Sequence, residues 1–255
     1  MKAVILGDSI IGGAADGAGG LARALSQSAP RWGLTIEDAA GVGGSTVANW
    51  MHASGLPVPG KGAALGRWGD GSRMPPLDEA ARKRAQVPRI AAMDADIYWI
   101  TFGTNDFSSG RPPRMWADQA IALIEQLPER ARVIWTVGNI DPRIQAARSE
   151  GLALLTQDTE RRWPGRVLVL DTQGPLAVYA PGSIHPSVAQ HARFLDAADA
   201  RVRAHLRGEA PSRRAAGRAG MAWLLGALGL GLGVAKGPEL LDALAIWLDG
   251  RRRHA

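Results

Sequence analysis

Ala3-Val4-Ile5-Leu6-Gly7-Asp8-Ser9 opens the chain with four apolar residues, a glycine, an acid and a hydroxyl. A short apolar run closed by a turn residue has the length of a buried strand rather than of a helix. In an open α/β sheet such a strand delivers the next few residues to the carboxyl edge, where ligands and catalytic groups gather. Alone, Gly-Asp-Ser is also ordinary turn chemistry. Its weight comes from three segments downstream.

Ala40-Gly41-Val42-Gly43-Gly44-Ser45-Thr46 comes after an expected strand at 34–37, and its glycines let backbone N–H groups approach a ligand closely. Gly103-Thr104-Asn105-Asp106 comes after the apolar run Ile97-Tyr98-Trp99-Ile100-Thr101-Phe102; Asn105 offers an amide N–H where negative charge can develop. Ser183-Ile184-His185-Pro186 places a histidine in a loop before a helix, whose first turn would suit Pro186.

Around these segments strands are expected at 2–6, 34–37, 97–102, 132–137 and 166–170. Helices are expected near 20–28, 78–92, 114–128, 143–162 and 186–207. The alternation implies an α/β fold: a three-layer α/β/α sandwich around a five-stranded parallel sheet, with right-handed crossovers. The stretch 51–76 breaks the rhythm, with Pro57, Pro59, Trp68, Gly69, Gly71, Pro75 and Pro76, and is too long for a simple connection. It reads as a substrate-binding insertion beside the Gly44 loop or, alternatively, as a surface loop.

Serine, loop glycine, asparagine and histidine, in this order and each at a strand end or before a helix, resemble the SGNH hydrolases, also called the GDSL esterase family. The resemblance covers residues 2 to 207 and implies the same sandwich, of flavodoxin-like type. It also implies roles. Ser9 matches the nucleophile block, Gly44 the glycine block, Asn105 the G-x-N-D block and His185 the histidine block. A serine hydroxyl is a poor nucleophile until a nearby imidazole takes its proton, so His185 would be the general base and later the acid. Attack on an ester carbonyl would then build negative charge beside the backbone N–H groups of Ser9 and Gly44 and the Asn105 side chain, the implied oxyanion hole.

One position departs from the family, which usually carries an aspartate three residues before the histidine. Here Gly182 stands there, in Pro181-Gly182-Ser183-Ile184-His185. Where a triad relies on its acid, losing it costs on the order of 10⁴ in rate. Three readings stay open. A backbone carbonyl near Gly182 orients His185 and leaves a Ser–His dyad; Asp171 or Asp141 supplies the carboxylate; or the protein is a degenerate binder. Asp8 and Asp106 read as braces of their turns rather than as catalytic acids. His191 and His205 read as surface or packing residues, and Trp50, Trp68 and Trp116 as either pocket or core.

No histidine pair has metal-ligand spacing, so neither a metal nor another cofactor is expected. The chain has no cysteine, which excludes disulfides and thiolate chemistry. It enters the first strand directly after Met1 and Lys2, and no cleavable secretory signal is expected. Of the 255 residues 30 are Lys or Arg and 24 Asp or Glu, but residues 201–255 hold 10 of the former and only 4 of the latter. The basic excess therefore belongs to the end of the chain. The body is neutral and gives no reason to expect a nucleic-acid partner.

That end reads as a second unit. Residues 1–207 form the expected hydrolase domain and 208–255 a basic, apolar helical extension. Gly220 to Ala235 is an apolar run shorter than the ~20 residues a bilayer-spanning helix needs. Lys236-Gly237-Pro238 interrupts it, and Leu240, Leu241, Leu244, Trp247 and Leu248 come next in helical spacing before Arg251-Arg252-Arg253. Either a membrane surface or a homo-oligomer contact through 219–249 fits this pattern, the arginines and tryptophans marking an interface.

The expected activity is hydrolysis of a carboxylic ester, a short acyl group such as an O-acetyl on a glycan, through an acyl-serine intermediate. Two competitors remain: a carbohydrate-binding or structural module that keeps the fold and loses reactivity, and an assembly protein whose tail is its main function.

Overall fold

A computed structural model describes residues 1–12, 20–52, 86–137, 142–172 and 186–209. His185, Gly182 and Asp141, most of the stretch 51–76, the beginning of the helix expected at 78–92, and the tail beyond Glu209 lie outside the described residues. The chain divides into two units, Met1–Ala210 and Pro211–Ala255.

Five parallel strands form one sheet in the order β2-β1-β3-β4-β5: β1 Lys2–Gly7, β2 Thr35–Gly41, β3 Ile97–Thr101, β4 Arg132–Val137 and β5 Val167–Asp171. This is the flavodoxin-like order, in which the chain reverses direction across the sheet at β1 and β3. The longer helices are α2 Gly20–Ser28, α6 Pro113–Glu125, α7 Gln145–Arg162 and α8 Val188–Arg207; shorter ones are α1 Ser9–Gly12, α3 Val47–Met51, α4 Val87–Ala91 and α5 Thr104–Ser108.

Strand residues alternate between two cores. Val4, Leu6, Tyr98, Ile100, Val133 and Trp135 pack with α3, α4, α6 and α7 on one face. Ala3, Ile5, Ile97, Trp99, Ile134 and Leu170 pack with α1, α2 and α8 on the other. Both sheet faces are covered, which is why the central strands read as nearly unbroken apolar runs. Trp50, Trp99, Trp116 and Trp135 are fully buried, so Trp50 and Trp116 belong to the core rather than to a rim.

Two of the boundaries that differ from expectation have a local physical cause. β2 runs on to Gly41, because Asp38, which sequence reading takes as lying beyond the end of the strand, is tolerated inside it: its carboxylate accepts the Ala39 N–H at 2.8 Å. At α8, Ser187 is the N-cap, and a reciprocal bond pair with Gln190 closes a capping box, so Pro186 precedes the helix instead of occupying its first turn. Among the described residues no helix is long and apolar enough to cross a membrane.

Candidate active site

Strand register brings three of the predicted segments together. Gly7 lies opposite Gly41 on one side and Thr101 on the other, so the Ser9, Gly44 and Asn105 segments leave adjacent strands at the same edge of the sheet. Each then enters a one-turn helix, α1, α3 or α5.

Hydrogen bonds stitch the three together. Asp8 N–H donates to Thr101 O at 3.2 Å, and Val42 N–H donates to Gly7 O at 3.1 Å. Close approach at Gly7 demands glycine: a Cβ there would stand 2.4 Å from Thr101 O and 2.6 Å from Thr101 Cγ2. The side chain of Asn105 reaches across, its Nδ2 donating to Ser45 O at 2.9 Å. An amide nitrogen has two donors, so this bond fixes the Asn105 rotamer and leaves a second N–H to be directed elsewhere.

The Gly44 turn is held from below. Ser45 N–H donates to Val42 O at 3.2 Å, closing a four-residue turn with Gly44 as its third residue at φ 75°. That positive φ at the third position is the mark of a type II turn and favours glycine. Ser45 is wholly buried; its Oγ donates to Val42 O at 2.7 Å and accepts from Trp50 Nε1 at 3.0 Å. Sequence reading missed Ser45 and assigned Trp50 only to core or pocket; the five-residue interval between them becomes meaningful only once α3 folds back over the turn.

Two buried carboxyls flank these groups. Asp8, 1% exposed, accepts the Ile10 N–H on Oδ1 at 3.0 Å, the expected brace of the serine turn. Burial pushes its pKa up to about 7 despite that bond, and the neighbouring charge of Asp106 adds to the rise. Asp106 is also buried; it accepts Val47 N–H at 3.4 Å and pairs with Arg111 at 3.1 Å. Burial raises it to about 6, the Arg111 guanidinium opposing the shift.

Across the sheet, Asp171 ends β5, three strands from β1 and therefore about 14 Å away. It is the ion-pair partner of Arg148, a fully buried guanidinium on α7 that also donates to Thr172 Oγ1 at 3.1 Å. Sequence reading found no sign of Arg148, because an arginine in a polar-looking helix gives no hint that it turns inward. His185 and Asp141 lie outside the described residues. His191 and His205 are packing residues: burial holds His191 down near 3 and His205 near 4. Among the described residues no cluster could hold a metal ion.

Residues 5–193 match the model of the GDSL-like lipase/acylhydrolase family. No curated protein matches the chain. Among solved structures, a carbohydrate acetylesterase family member from Sinorhizobium meliloti aligns with a TM-score of 0.53 at 13% identity, over 81% of this chain and 99% of that one. A putative arylesterase from Agrobacterium tumefaciens aligns with a TM-score of 0.51 at 20% identity, over 80% and 99%. An active-site mutant of a family two carbohydrate esterase from Clostridium thermocellum gives 0.50 at 17%, over 79% of this chain and 62% of its own length. At these identities the structural likeness concerns the fold.

Proposed function

The chain belongs to the GDSL-like lipase/acylhydrolase family, and from that premise we propose that it is a serine esterase in which Ser9 attacks a short-chain carboxylic ester. The observation that carries this reading is the meeting of the Ser9, Gly44 and Asn105 segments at one sheet edge, bound by the Asn105–Ser45 bond. His185 takes the Ser9 proton and returns it to the leaving alcohol; water then hydrolyses the acyl-Ser9 intermediate by the same steps reversed. The N–H groups of Ser9 and Gly44 and the second amide proton of Asn105 face the anionic oxygen. Removing one such donor typically costs about 10²–10³ in turnover.

Asp171 pairs with Arg148. We read the base as a Ser–His dyad whose imidazole is oriented by a backbone carbonyl near Gly182, with Asp171 or Asp141 as the alternative orienting acid. For the substrate we propose an O-acetyl group on a glycan; two of the proteins of similar fold are carbohydrate esterases. The extension 208–255 we read as an attachment arm, through 219–249, for a membrane surface or a second copy of the chain.

A serine-directed fluorophosphonate probe and a panel of acetyl, butyryl and long-chain esters test this reading. Labelling that disappears in Ser9→Ala and persists in Ser183→Ala, with acetyl esters turned over fastest, is the expected result. Labelling that survives Ser9→Ala would reject Ser9 as the nucleophile; absence of labelling and of turnover of any ester would reject the esterase reading and favour the binding-module alternative.

A further inference from the structure

The two carboxyls beneath the nucleophile turn have only one cation between them among the described residues. Arg111 lies on Asp106, its Nε 3.1 Å from Oδ1, with its side chain mostly buried. The described charged and polar groups that face Asp8 are Asp106 and the Thr104 hydroxyl from α5, the backbone N–H of Ile10 from α1 and its own backbone N–H. Its Oδ1 accepts the Ile10 N–H; its Oδ2 has no donor in good hydrogen-bond geometry. A buried carboxylate without a cation, beside a second carboxylate that has one, is the member of the pair that keeps a proton.

Resting on the esterase reading, we propose that Asp8 is a neutral, protonated positioning residue in the working enzyme, that Asp106 carries the pair's charge, and that ionisation of Asp8 shuts the oxyanion hole down. The reason is placement. Asp8 is joined directly to the Ser9 N–H, one of the donors awaiting negative charge. In its acid form it holds the turn without adding charge. Once its proton passes to water, a carboxylate stands beside the turn that faces the oxygen that must become anionic. Two like charges on the order of 5–10 Å apart at an effective dielectric of about 20 slow the reaction roughly 10–100-fold.

The raised acidity range of Asp8 puts this loss near neutral pH, with Asp106 and Arg111 setting where it falls. The base works in the opposite sense: His185 must be unprotonated, so it makes activity rise with pH, whereas Asp8 makes it fall. The two therefore shape opposite limbs of one bell.

The experiment measures the Ser9-dependent fluorophosphonate labelling rate and kcat/KM for an acetyl ester from pH 5 to 9 in the native chain and in Asp8→Asn, an isostere that cannot ionise. The native chain is expected to lose 10–100-fold on its alkaline side. In Asp8→Asn the ratio of rates at high and neutral pH should rise by at least tenfold while the acid limb stays in place. An alkaline limb unchanged by Asp8→Asn overturns the proposal. Should Asp8→Asn fail to fold, ¹³C-carboxyl titration of the native protein decides: an Asp8 resonance that moves near pH 7 supports the proposal, and one already ionised at pH 5 refutes it. Absence of Ser9-dependent labelling in the native chain would instead count against the esterase reading itself.

Discussion

Replacing Gly7 by alanine should damage stability and catalysis by separable amounts. The added methyl would sit 2.4 Å from Thr101 O, 2.6 Å from Thr101 Cγ2 and 2.9 Å from Ile11 Cγ1, where ordinary contact begins near 3.4 Å. The closest atom is backbone oxygen in the central strand β3, which cannot rotate away. β1 and β3 must therefore part by about 1 Å at their carboxyl ends. The same oxygen accepts the Asp8 N–H at 3.2 Å, already toward the long end of the normal range, so that bond is lost with the shift. Overpacking of this kind costs about 1–3 kcal/mol, and leaving a buried donor unpaired a further ~1–3 kcal/mol. A displacement of about 1 Å in the Asp8–Ser9 turn misaims the hydroxyl and typically costs ~10² in rate. Urea unfolding reads the first quantity; the fluorophosphonate labelling rate per folded molecule, at a temperature where the variant is fully native, reads the second. A variant that unfolds at the native urea midpoint and labels at the native rate would refute the claim that this close approach aims the nucleophile.

Asn105→Ala removes both a proposed oxyanion donor and the bond to Ser45 O, and should lower kcat by about 10²–10³ with little change in KM in steady-state ester hydrolysis. Asp171→Asn strips an ion-pair partner from a fully buried Arg148 and should cost roughly 3 kcal/mol in urea unfolding; retained Ser9 labelling in the folded fraction would support the dyad, and a loss near 10⁴ would make Asp171 the orienting acid. His191, held near 3 by burial against an ordinary value of about 6.5, binds its proton in the unfolded chain first. The stability it supports is complete above about pH 6.5 and is lost as pH falls from there toward 3, roughly 3 kcal/mol by pH 4.5. His191→Gln should therefore flatten the acid side of the stability curve measured by urea midpoints at pH 7.5 and 4.5.

Strand and helix order was legible because a sheet covered on both faces makes its central strands continuous apolar runs, and Ala3–Leu6 and Ile97–Phe102 are such runs. The one-turn helices α1, α3 and α5 were not legible. Four or five residues give no helical period, and these helices exist because capping and cross-loop bonds such as Asn105 to Ser45 O hold them. Arg148 and the Ser45–Trp50 pair escaped for a related reason: a polar residue's inward turn is decided by partners far away in sequence.

The sequence by itself determined the parallel sheet and which four short segments hold the candidate nucleophile, donors and base, since spacing and residue type are local properties. Only the tertiary structure decided that Gly7, Gly41 and Thr101 share a register, that Asp171 pairs with a buried arginine, and that Asp8 shares its surroundings with Asp106, which Arg111 holds. Register and buried charge depend on which strands and loops become neighbours, and no stretch of sequence contains its own neighbours.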